Sequence, residues 1–98
     1  MVIVIQGSWP LESQEELQKR FQSLPAVPDN MTLRGPYTCA TQDGLRSIAI
    51  YEFDQSKFAE SIFAVANRYS AYIGVPGFSY DLRICAEPGE ANRMAEST

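Results

Sequence analysis

Glu52 is the carboxylate best placed to do chemistry. It stands in the alternating run Ile48, Ala49, Ile50, Tyr51, Glu52, Phe53. At a period of two it shares a face with Ile48 and Ile50. If that face meets the helices, Glu52 lies at the rim of the core, where burial raises a carboxyl pKa towards that of a general base. The alternative is a rim Glu paired with a neighbouring Arg or Lys, since strand-end carboxylates are usually solvated. Tyr37, Tyr51, Tyr69, Tyr72 and Tyr80 could bring hydroxyls to a ligand cleft, Tyr80 among the candidates. They serve equally as core or interface aromatics with a wet tip, Tyr69 and Tyr72 above all. Arg34 and Arg83 could clamp a substrate carboxylate through both guanidinium edges, or pair across strands with Glu52 and Asp81. Trp9 could close a pocket, or staple the entry to the first helix.

What is missing narrows the chemistry. The chain of 98 residues contains no histidine, which removes the commonest general base and the commonest transition-metal ligand. Cys39 and Cys85 are too few and too far apart for a zinc motif. No metal and no cofactor are expected. Eight basic residues are scattered against twelve acidic ones, for a net charge of -4, so no basic stripe suits nucleic acid. The acidic excess disfavours anionic membranes, and no run approaches the ~18 apolar residues of a span. The apolar start, MVIVIQGSWP, lacks a basic region and a cleavage site, so a cytoplasmic location is expected.

The elements that must position these residues follow from pattern. A Val/Ile run at 2–6 reads as a strand buried on both faces, with a turn at 7–10. Ser13 and Glu16 form a capping-box pattern for a helix over 14–24 bearing Leu17, Phe21 and Leu24 on one face, stopped by Pro25 and Pro28. A strand over 31–40 is interrupted by Gly35-Pro36, which assigns it to a sheet edge. Asp43-Gly44 turns the chain into a strand over 45–53. The long stretch 54–77 then carries Phe58, Ile62, Val65, Ala66, Tyr69, Tyr72 and Ile73 at steps of three and four, with Asp54 as its cap and Gly74 and Pro76 ending it. A last strand spans 78–85. The residues from Glu87 onward read as a frayed polar tail, with room for one helical turn near Ala91.

The order β-α-β-β-α-β predicts an α+β, ferredoxin-like sandwich: a four-stranded antiparallel sheet in the order 4-1-3-2 with both helices on one face. Residues 1–87 form the single domain and 88–98 the tail. Cys39 and Cys85 then lie on opposite edges, three spacings of ~4.8 Å apart, and remain free thiols. Two helices cover one sheet face only, yet the first strand is apolar on both. Val2 and Val4, with Ala49, Tyr51 and Phe53, are therefore expected to form a sheet-to-sheet homodimer interface.

With its Ile-Tyr-Glu-Phe-Asp end to the third strand and Val-Pro-Gly-Phe leading into the last, residues 1–87 resemble the dimeric α+β barrel group. That group includes small cofactor-free monooxygenases and muconolactone isomerases. The resemblance implies a ligand between sheet and helices near the end of the third strand, at Gln6, Gly7, Ile50 and Glu52. The candidate ligand-binding set is thus Glu52, Gln6, Tyr80 and Arg34. Two function classes stand: a small dimeric ligand-binding or regulatory protein, and a cofactor-free monooxygenase or isomerase acting on a small apolar or aromatic molecule.

Overall fold

The computed structural model describes residues 1–96. Strand β1 spans Val2–Trp9, helix α1 Gln14–Gln22, β2 Met31–Thr41, β3 Gly44–Phe53, α2 Phe58–Ser70, β4 Ser79–Cys85 and α3 Pro88–Glu96, with single 3-10 turns leading into α1 and α2. The four strands form one antiparallel sheet in the order β2-β3-β1-β4. This is the expected order, and it is consistent with a ferredoxin-like fold. β2 is an edge strand, as Gly35-Pro36 requires: its register against β3 shifts between Arg34 and Tyr37. Cys39 and Cys85 are free.

β1 runs past the expected turn to Trp9, because β3 continues alongside it and Gly7 and Trp9 face Ser47 and Leu45. Directly opposed residues share a sheet face, so the pairs Ile3–Tyr51 and Ile5–Ala49 assign both strands at once. Ile3, Ile5, Ala49, Tyr51 and Phe53 are all buried in one cluster with Met31 and Val65 of α2. The helices therefore cover the Ala49/Tyr51/Phe53 face of β3, and Ile48, Ile50 and Glu52 lie on the uncovered face. Removing the side chain at Ile3 or Ile5 would cost about 2–5 kcal/mol.

Local chemistry sets the helix ends. Asp54 accepts a hydrogen bond from the Ser56 backbone N–H at 2.9 Å, which holds its carboxyl below the usual range. Ser13 does not cap α1: it sits in the preceding 3-10 turn, and its hydroxyl donates to the Pro76 carbonyl at 2.5 Å. That bond ties the start of α1 to the loop before β4. In the same loop Gly77 has φ +74 and lies so close to Pro10 that a Cβ would be 2.7 Å from its ring, so only glycine fits. Arg20 fastens the other end of α1. It pairs with Glu16 at 3.0 Å and donates to the carbonyls of Ala71 and Ile73 beyond the end of α2.

The expected tail departs most from the pattern. Residues 88–96 form α3 rather than a single turn, while residues 97–98 lie outside the described residues. Pro88 occupies the first helical position, where a missing N–H costs nothing. The Glu90 carboxylate accepts the Glu87 backbone N–H at 3.0 Å, half of a capping box. That bond, with the Met1 ammonium 3.0 Å away, holds the Glu90 carboxyl below its ordinary range. No helix among the described residues is long and apolar enough to cross a membrane.

Candidate functional site

A cavity of ≈ 280 Å³ lies between the helices and the sheet. Its floor is Ser47, Ala49 and Tyr51 of β3. The inward-facing residues at 47 and 49 are small, and the room they leave under the helices is the cavity. Leu17, Gln18 and Phe21 of α1 form one wall, and Arg68, Tyr69 and Tyr72 of α2 the other. Trp9 and Phe78 close one end. The exposed Gln18, Pro36 and Thr38 mark its mouth, between α1 and the β2 edge.

The closed end is an aromatic stack. Phe78 lies 4.9 Å from Tyr72 and 6.2 Å from Trp9, ring centre to ring centre, and Tyr69 meets Tyr72 edge-on at 5.6 Å. The Trp9 indole N–H donates to Gln14 Oε1 at 2.7 Å, fixing the ring against the start of α1. Trp9 thus fills both roles open to it in the sequence: it staples α1 and walls the cavity.

Arg68 is the unexpected member. It is 7 % exposed, yet no carboxylate among the described residues lies within salt-bridge distance of it. Its Nε donates to the Tyr51 hydroxyl at 3.2 Å, one Nη donates to the Pro25 carbonyl, and its guanidinium carbon sits 6.0 Å from the centre of the Tyr51 ring. A buried cation without an anion is costly, and this one stands in the cavity wall. Burial, above all, pushes the Tyr69 and Tyr72 phenols up from their ordinary range, with the Tyr51 hydroxyl adding to both; Arg68 pulls both the other way. Both rings stay neutral at physiological pH.

Arg68 was within reach of the sequence. Ser61, Val65, Arg68 and Tyr72 are the buried residues of α2 and its continuation, at steps of four, three and four. The apolar stripe read from the sequence is rotated slightly from this line, so Ala66 and Ile73 are exposed instead. A charged residue inside that spacing was the available signal. Ser61 shares the line, and its buried hydroxyl has no partner among the described residues.

The candidates drawn from the sequence separate. Glu52, Gln6 and Arg34 all lie on the uncovered sheet face, where Arg34 pairs with Glu52 at 2.9 Å. Glu52 is therefore the rim carboxylate paired with an arginine, outside the helix–sheet space. Tyr80 lies beside the cavity wall: its ring is 5.1 Å from Tyr69 and 6.0 Å from Phe78, and it lines a shallow outer groove with Ile73 and Val75. Arg83 pairs with Asp81 at 2.7 Å on the uncovered face. The expected interface set divides as well. Val2 and Val4 are on the uncovered face, whereas Ala49, Tyr51 and Phe53 are 1 %, 2 % and 7 % exposed beneath the helices and cannot join them. Ile48 and Ile50 share the uncovered face with Val2 and Val4, Ile50 directly opposite Val4. Among the described residues no group of three or more His, Cys, Asp or Glu side chains could hold a metal ion.

No family model matches this chain, and no curated protein has a matching sequence.

Proposed function

We propose that this chain is a small ligand-binding protein, working as a homodimer, that takes a small apolar or aromatic molecule into the cavity between sheet and helices. The observation that carries the reading is the cavity itself: ≈ 280 Å³, largely aromatic and aliphatic in its walls, with a few convergent polar groups. Ligand sites have this composition, and this volume lies just below their usual range of about 300–1,000 Å³. One or two fused rings suit it better than a drug-sized molecule. The dimer is supported by the apolar centre of the uncovered sheet face, formed by Val2, Val4, Ile48 and Ile50.

Binding is favoured over cofactor-free monooxygenation or isomerisation. Either reaction needs a group that accepts a proton from the bound molecule. The phenols of Tyr69 and Tyr72 are held protonated, and Glu52 is turned to the other face of the sheet.

Trp9 is the only tryptophan and stands in the cavity wall, so its emission reports occupancy. Titration with 2-naphthol should change that emission saturably. Ser47→Leu, which fills the floor, should abolish the change while leaving the circular dichroism spectrum intact. An identical titration curve in the filled variant would contradict the reading.

A further inference from the structure

We infer that the ligand of this cavity is an anion, an aromatic carboxylate whose charged group is held by Arg68. The inference rests on the cavity being a binding site and adds the chemistry of what enters it. A guanidinium carries five N–H donors. The hydrogen bonds of Arg68 to Tyr51 and Pro25 use two of them and pin the side chain from either side. Donors at the Nη end remain for an incoming acceptor, and Arg68 lines the cavity. No carboxylate among the described residues neutralises it. A buried charge is stable when paired, and here the ligand completes the pair.

The number and kind of donors select a carboxylate. One guanidinium, planar and held in place, matches the two oxygens of a carboxylate. Among the described residues no second cation lines the cavity, as a phosphate dianion would favour. The rest of the ligand is specified by Trp9, Tyr72 and Phe78, whose rings offer faces and edges to another flat ring. An arenecarboxylate with its acid group at Arg68 and its ring among those side chains satisfies both ends.

The test compares 2-naphthoate with the isosteric neutral 2-naphthamide by calorimetry, on the unmodified protein and on Arg68→Met. Charge-assisted hydrogen bonds predict that the unmodified protein prefers naphthoate by about tenfold or more. Arg68→Met, checked for folding by circular dichroism, should lose that preference and retain binding of the amide. The comparison on the unmodified protein stands alone if the variant fails to fold. Equal affinity for the two compounds would overturn the anion inference while leaving the cavity as a binding site. Binding of neither, with Trp9 emission unchanged by 2-naphthol as well, would overturn both.

Discussion

The phenols of Tyr69 and Tyr72 tie the cavity to the stability of the fold. Both are raised from an ordinary value near 10, chiefly because burial disfavours the phenolate. A group whose folded pKa is raised gives its full stabilisation below its unfolded pKa, and that contribution is lost as pH rises towards the folded value. In the unfolded chain these tyrosines ionise from about pH 10, while in the folded chain they stay neutral. Melting temperature should therefore fall as pH is raised above about 10, and more steeply for the unmodified protein than for Tyr69→Phe/Tyr72→Phe. Parallel curves for the two proteins would remove these residues from the account.

At the scale of the elements, the sheet's two faces divide the molecule's tasks. The helix-covered face holds the core and the cavity. The uncovered face carries Val2, Val4, Ile48 and Ile50 at its centre, with Arg34–Glu52 on one side and Asp81–Arg83 on the other. Such exposed ion pairs contribute little to stability, about 0–1 kcal/mol each, but they frame an apolar strip that a second copy could cover. Light scattering at micromolar concentration should give the dimer mass. Val4→Glu should give the monomer with its secondary structure intact, since the new carboxylate would lie opposite Arg83. A monomeric unmodified protein would rule the interface out.

The elements themselves were largely legible in the sequence. The β-branched run, the Gly-Pro interruption and the Asp-Gly turn each point to one place in the sheet, and strand order follows from them. Facing was not legible for β3, because Ile48/Ile50 and Ala49/Tyr51/Phe53 make two apolar faces and alternation cannot say which meets the helices. Cross-strand pairing of Ile3 with Tyr51 decides it. The candidate site inherited that ambiguity: Glu52 turned outward with Ile50, and Tyr51 turned inward to Arg68. Capping at Ser13 failed for a related reason, since the hydroxyl finds its partner in a loop distant in sequence, at Pro76.

On the scale of the whole molecule, the cavity is where separate parts of the chain converge. Trp9 closes β1, Ser47 and Ala49 supply a low floor, α1 and α2 make the walls, and the Ser13–Pro76 and Arg20–Ala71 contacts hold α1 against the far end of α2. Both attachments join segments distant in sequence, and they anchor α1 near its two ends. The central claim is that a ligand enters this space, the one the resemblance to the dimeric α+β barrel group implied, and not the opposite face, where Gln6 and Glu52 lie. Amide and indole shift mapping by NMR during titration with 2-naphthoate tests it most directly. The account predicts the largest shifts at the Trp9 indole, Ser47, Ala49, Tyr51 and Arg68. Shifts concentrated at Gln6, Arg34 and Glu52 would contradict it.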